Sequence, residues 1–292
     1  HGSISKKLAV WIYFVVVTQK NKGVHLHSLI LLAGRLARRA YSSQLRRWVA
    51  TFAVFATGRT YDQIRTSVCY QNANVKIIGT HGGITVGEDG ATHHGVFDIS
   101  LVRSIPGIAV MQPRTVEELN QMLSTCLLLP YPSIIRYPRG IAKPVSFGKE
   151  FAVSEVASSV AIGKAERLAK YGSSGKIAIW SLGNMDALAK EVCELLWSKG
   201  IASELVNARF VKPLDTLLID EQLQQGVTTF VTIEDGVEIG GFGSEVEAYL
   251  GGRARTVCCG WKNPFMPHAS NLNDLYEREG LNASEIVARI CK

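Results

Sequence analysis

Three histidines and two acids fall within one glycine-rich stretch: Gly79-Thr80-His81-Gly82-Gly83-Ile84-Thr85-Val86-Gly87-Glu88-Asp89-Gly90-Ala91-Thr92-His93-His94-Gly95. Imidazoles titrate near neutral pH, so a cluster of this kind suits proton transfer. The five glycines between 79 and 90 let the backbone approach a ligand closely, and a loop this long between short elements is usually functional. Two other readings stand beside that one. His81, Asp89, His93 and His94 could ligate a metal, although their spacing fits no standard zinc pattern. Alternatively, the histidines only cap helices in a turn.

Such residues need elements to deliver them. Residues 75–78 form a short apolar run leading into Gly79, and in an open parallel sheet ligands bind beyond the carboxyl ends of the strands. Around it the chain alternates. Residues 60–70 carry Tyr61, Ile64 and Val68 at helical spacing, 97–103 are helical in pattern, and 109–111 and 133–137 read as strands. Thr115 precedes Glu117 and Glu118 as a helix cap with acids in the first turn. The expected architecture is α/β, with two domains, each a mostly parallel sheet flanked by helices. The first unit covers 49–148. An irregular linker covers 149–175 and ends in Tyr171-Gly172-Ser173-Ser174-Gly175. The second unit, 176–292, has strands at 176–181, 202–207, 229–233 and 256–259. Its helices are expected at 185–199 and 215–224, after Gly243, and at 272–279 and 284–290. Gly240-Gly241-Phe242-Gly243-Ser244 lacks the spacing of a dinucleotide fingerprint and reads as close packing at a helix start.

Charge is unevenly spread. The net charge is +7, yet residues 1–61 hold ten Lys/Arg and no Asp or Glu, leaving 22 basic and 25 acidic residues in the remainder. A nucleic-acid binder keeps its basic face on the folded core, so nucleic acid is not an expected partner. The apolar run at 8–17 is too short to span a bilayer, and no membrane role is expected. Segment 1–48 is atypical: a divergent or corrupted start, a transit-like stretch, or a strand plus a basic helix. Six cysteines form no CxxC pair, which argues against structural zinc. Reduced thiols point to the cytoplasm, or to an organelle if the start is a transit segment.

Several motifs in order carry a resemblance. Phe52-Ala53-Val54-Phe55-Ala56-Thr57-Gly58-Arg59 and the 79–93 stretch resemble separately encoded C-terminal subunits of the transketolase family of thiamine-diphosphate enzymes. Thr92-His93-His94-Gly95-Val96-Phe97-Asp98, Arg136-Tyr137-Pro138-Arg139-Gly140, Phe210-Val211-Lys212-Pro213-Leu214-Asp215 and the 240–244 run are more similar to the 1-deoxy-D-xylulose-5-phosphate synthases. The resemblance covers about residues 49–292 and implies a pyrimidine-binding domain followed by a transketolase C-terminal domain. It implies that Phe52 and Phe55 line the aminopyrimidine pocket of the cofactor, where a flat apolar wall can stack on a planar ring. On the plainer reading they are core phenylalanines. It implies that His81 lies near the substrate, that Asp89 binds substrate hydroxyls, and that His93 assists proton transfer, with His94 behind them. Arg136 is implied to grip the substrate phosphate, a task suited to a planar guanidinium; Arg139 ranks below it, a structural ion pair being the competing reading.

Two family features are missing. No acid precedes Asp62, whereas the family's cofactor-activating glutamate lies some 20 residues before the Phe52-like position. No Gly-Asp-Gly…Asn stretch for magnesium and diphosphate occurs either. Thiamine diphosphate is therefore expected to be shared with a partner chain or domain that binds the diphosphate and Mg2+, in a homo- or hetero-oligomer. The implied activity is transfer of a two-carbon or acyl unit to a sugar-phosphate acceptor, as in the synthases. The alternatives are the C-terminal subunit of a split transketolase, or a non-catalytic assembly subunit.

Overall fold

The structure, a computed structural model, describes residues 12–16, 46–140, 159–173, 175–263 and 265–292, with 12–16 and 46 as backbone only. One sheet contains β1 (Ile12–Val16), β2 (Arg46–Phe52), β3 (Val75–Thr80), β4 (Ala109–Met111), β5 (Ser133–Arg136) and β9 (Phe210–Lys212), in the order β1-β2-β3-β5-β4-β9. All its pairs are parallel except β4 with β9. The second contains β6 (Glu166–Tyr171), β7 (Ile177–Ser181), β8 (Ser203–Asn207), β10 (Thr229–Val237) and β11 (Arg255–Trp261), in the order β11-β10-β7-β8-β6. Only β6 is antiparallel to its neighbour. This is the expected α/β architecture of two mostly parallel sheets flanked by helices.

Strands covered on both faces read as continuous apolar runs. β7, Ile-Ala-Ile-Trp-Ser, is buried throughout, as is β3 up to Gly79. Lys76 is the exception within β3: its Nζ donates to the carbonyls of Leu129 at 3.0 Å and Tyr131 at 2.7 Å, just past the helix Val116–Leu128, where a cation suits the helix dipole. Thr115 caps that helix as expected, its hydroxyl accepting from the Glu118 amide. Met122 and Cys126 on the buried face pack with Ile78, Met111 and Ile135. A larger cluster joins Val49, Ile77, Val110 and Ile134 of the first sheet to Trp180, Val206, Phe230 and Phe242 of the second half. The two sheets thus share a core, in which burying a side chain the size of Phe230 contributes about 1.5–3 kcal/mol.

Three expectations change. Residues 149–175 are not all linker: β6 lies within them and pairs with β8, while 141–158 fall outside the described residues. The atypical 1–48 segment supplies β1, which pairs with β2 from Ile12 opposite Arg46 to Val16 opposite Ala50; most of the rest of that segment is outside the described residues. Phe210–Lys212, noted only as part of a motif, is a strand from the second half that completes the edge of the first sheet. The glycines at 240–244 behave as expected. A Cβ at Gly243 would sit 2.5 Å from Thr232 Oγ1, so the helix Phe242–Leu250 packs closely on β10.

Candidate active site

After β3 the chain crosses to β4 and returns to β5, which lies between them. The segments leaving β3 and β5 therefore start from neighbouring carboxyl ends, the side of an open parallel sheet on which ligands bind. They remain tied at their bases, Gly82 N donating to Tyr137 O at 2.9 Å and Tyr137 N to Gly79 O at 3.0 Å.

β2 ends at Phe52, and the short helix Ala53–Thr57 starts immediately. Residues three apart on a helical turn share a face. The rings of Phe52 and Phe55 lie parallel within 5°, centroids 5.8 Å apart, and both are half-buried. His81 stacks on Phe52 at 3.9 Å and 17°. His93 meets both rings edge-on, 6.4 Å from Phe52 and 5.3 Å from Phe55. The Arg59 guanidinium lies 4.3 Å from the Phe55 ring centroid. Four of the six sequence-predicted residues are thus gathered into one half-open aromatic niche. Each histidine follows a threonine whose hydroxyl engages its Nδ1: Thr80 with His81 at 2.8 Å and Thr92 with His93 at 2.9 Å. That leaves Nε2 as the nitrogen for an outside partner.

Burial lowers the His81 pKa, the nearby Arg139 lowers it further, and Asp89 opposes both. His81 is accordingly neutral at pH 7, a proton acceptor. The same interactions put Asp89 and Arg139 within electrostatic reach of the niche. Asp89 is exposed on the turn Gly87–Asp89. Arg139 is exposed as well, its backbone N–H held by Thr85 Oγ1 at 2.8 Å.

Arg136 does not open onto the niche. It is 2% exposed, with Nε on Asp98 Oδ2 at 2.8 Å, Nη1 on Gln112 Oε1 at 2.6 Å, and Nη2 on the carbonyls of Gly95 and Asp235. Four of its five N–H donors are spent on protein acceptors in the interface between the two halves, and the group is buried, which argues against the phosphate-gripping role expected of it. Arg139, ranked second in the sequence reading, is the arginine whose charge is felt at His81. His94 is buried, its ring beside the Gly87 backbone and the Asp235 carboxylate. Burial lowers its pKa, with Asp235 opposing.

The glycines also have a different task from the one expected. A Cβ at Gly82 would lie 2.3 Å from Arg136 Nε, and one at Gly83 only 1.9 Å from Asp235 Oδ2. At these positions the backbone closes on buried side chains of the protein rather than on a ligand. Asp235, at the end of β10, accepts from Ile84 N at 3.2 Å, Trp261 Nε1 at 2.8 Å and Asn184 Nδ2 at 3.3 Å. Sequence reasoning missed Asp235, for which no local signal exists. It also passed over Arg59, which helical spacing from Phe55 to Arg59 could have found. Among the described residues no group of three His, Cys, Asp or Glu is arranged to hold a metal ion.

Comparison with known proteins agrees with this layout. Residues 37–144 match the transketolase pyrimidine binding domain, and 163–286 the transketolase C-terminal domain. The chain is 39% identical over 251 residues to a 1-deoxy-D-xylulose-5-phosphate synthase of Heliobacterium modesticaldum, covering 85% of this chain and 37% of that protein. It is 36% identical over 267 residues to the synthase of Acidobacterium capsulatum, covering 90% and 40%. The chain thus spans about two fifths of the length of these relatives. A solved structure described as a split gene transketolase, inactive beta4 tetramer, superposes with a TM-score of 0.78 at 27% identity, covering 95% of this chain and 90% of that one. The transketolase of Campylobacter jejuni shares the fold, with a TM-score of 0.69 at 21% identity over 91% of this chain and 38% of that one. With both domains matched in order over most of its length, the chain belongs to the transketolase family, as the pyrimidine-binding and C-terminal domains.

Proposed function

We propose that this chain is the pyrimidine-binding and C-terminal part of a thiamine-diphosphate-dependent transferase that moves a two-carbon unit to a sugar-phosphate acceptor. The favoured pair is pyruvate and glyceraldehyde 3-phosphate, in line with the synthase relatives. The diphosphate and its Mg2+ would be held by a partner chain or domain, and the assembly would work in the cytoplasm. The observation that carries this reading is the niche of Phe52, Phe55, His81 and His93 at the carboxyl ends of β2 and β3. The parallel, half-open phenylalanines fit a planar heteroaromatic ring. When bound, the cofactor supplies the carbon nucleophile that carries the transferred unit.

The residues of this chain orient the substrate and move protons. His81 and His93, each with Nδ1 engaged by a threonine, present Nε2 to the reacting carbonyl and hydroxyl groups. Asp89 accepts from substrate hydroxyls. Arg139, with Arg59 beside it on the Phe55 ring, provides cationic donors for a phosphate. Arg136 instead fixes the backbone at Gly95, the end of the loop that bears His93.

One family feature does not fit. No acid precedes Asp62, so the segment leading to Phe52 offers no carboxylate to the pyrimidine ring. This observation favours a second reading, a non-catalytic assembly subunit. The two separate in one experiment: the chain is combined with a diphosphate-binding partner, thiamine diphosphate and Mg2+, and carbon dioxide release from pyruvate is followed with and without glyceraldehyde 3-phosphate. Turnover that requires this chain supports the transferase. Cofactor bound by the assembly without turnover supports the assembly subunit. Ketol transfer between sugar phosphates in place of carbon dioxide release would identify a split transketolase.

A further inference from the structure

The loop bearing Asp89 and His93 belongs to the first sheet, but the second half of the chain holds it along its length. Asp235 takes the Ile84 amide at 3.2 Å. The Val237 amide donates to Val96 O at 2.9 Å, and the Ala269 amide to Gly87 O at 3.2 Å. A second side chain joins these ties at the turn itself: His268 Nδ1 lies 2.6 Å from the carbonyl oxygen of Glu88.

A carbonyl only accepts, so His268 carries its proton on Nδ1 and donates it. The contact is shaped as well as bonded. Gly90 has φ +68°, and a Cβ there would lie 2.6 Å from both Cε1 and Nε2 of His268. The imidazole therefore lies against Gly90, where a side chain would collide with it. Gly90 in turn sets the position of His93: its carbonyl accepts from His93 N at 2.9 Å and from His94 N at 3.1 Å, and its own amide donates to Gly87 O. Asp89 sits between the bonded Glu88 carbonyl and Gly90.

We propose that His268 is a positioning residue: its ring N–H on the Glu88 carbonyl holds the turn that places Asp89 and His93. The C-terminal domain then sets the geometry of a site to which it contributes no reacting group. The proposal rests on the reading of Asp89 and His93 as substrate-handling residues. Because His268 and Glu88 are both exposed, the effect is local: the bond limits opening of the turn rather than global unfolding.

The test compares His268→Phe, which keeps a ring but has no donor, with His268→Asn, whose Nδ2–H can take the place of Nδ1–H. Amide hydrogen exchange is followed in the intact chain. The amides of residues 89, 90, 93 and 94, all bonded within the turn, report on the loop, and the helix Asp186–Ser198 serves as control. His268→Phe is expected to speed exchange in the turn several-fold, His268→Asn to stay near wild type, and the control helix to be unchanged in both. Wild-type exchange in His268→Phe, equal acceleration in both variants, or acceleration equal in turn and helix would each overturn the proposal. In the complex with a diphosphate-binding partner, His268→Phe should lower kcat/KM several-fold and His268→Asn should restore it. Exchange needs neither cofactor nor turnover. A complex that never turns over while its turn still responds to His268→Phe therefore counts against the proposed function and not against this contact.

Discussion

Arg136 and Arg139 stand three residues apart, and the structure assigns them opposite phenotypes. Replacing Arg136 by Met removes a guanidinium that is 3% exposed at its side chain, facing an Asp98 carboxylate that is 2% exposed. Asp98, Gln112 and the carbonyls of Gly95 and Asp235 lose their donor together. Breaking a buried ion pair by removing one partner costs about 3–5 kcal/mol, because the remaining charge stays buried and uncompensated. That is a large share of a typical folding stability of about 5–15 kcal/mol. Urea unfolding of the intact chain, followed by the fluorescence of buried Trp180 and Trp261, should show the midpoint fall accordingly. Adding Asp98→Asn to Arg136→Met should recover part of the loss by removing the stranded charge. Arg139→Gln, at an exposed position, should leave the midpoint within about 0.5 kcal/mol. In the active assembly it should raise KM for the phosphorylated acceptor by about tenfold to a hundredfold, the loss of one charge-assisted contact. A normally folded Arg136→Met with a raised acceptor KM, alongside a silent Arg139→Gln, would refute this reasoning.

Other substitutions probe the same framework. Glu234 is fully buried, and burial pushes its carboxyl up from the ordinary 4.5 to about 7 against the Gly243 and Phe242 amides that it accepts from. The folded state then holds this proton more tightly than the unfolded one. Its stabilising contribution is complete below about pH 4.5 and is lost as pH rises through 7, at most about 3 kcal/mol; Glu234→Gln should flatten that part of the stability–pH curve measured by urea titration. Gly83→Ala places a Cβ 1.9 Å from Asp235 Oδ2 at a φ of +72°. Overpacking of that kind costs about 1–3 kcal/mol, with left-handed strain added, and should lower Tm and change Trp261 fluorescence. Phe52→Ala removes one wall of the niche; a ring contact contributes about 0.5–1.5 kcal/mol beyond its buried area. The Kd of the assembly for thiamine diphosphate should rise about tenfold, with the Tm of the chain little changed.

Much of the fold follows from local pattern. The strand at Ala109–Met111, the Thr115 cap and the helices Asp186–Ser198 and Thr216–Gln224 lie where apolar spacing and capping chemistry place them, because those signals act within a few residues. β6 and β9 escaped that reading for a common reason. Glu166–Tyr171 is largely half-buried and mixed in polarity, and Phe210–Lys212 has three residues and pairs with a strand a hundred residues earlier. Edge strands of this kind are defined by their partners rather than by their own composition.

The site divides along the same line. Sequence alone determined that two histidines and an acid share one glycine-rich loop after a strand, and that two phenylalanines three apart precede it. Each of those relations is set by covalent spacing and one turn of helix. Only the tertiary structure decided which arginine meets solvent, why Gly82 and Gly83 have no side chains, and that Asp235 and His268 brace the loop from the other half of the chain. Burial and ion pairing depend on what the distant chain brings alongside. Two guanidiniums identical in chemistry, one ending a buried strand and the other just beyond Pro138, therefore acquire different work.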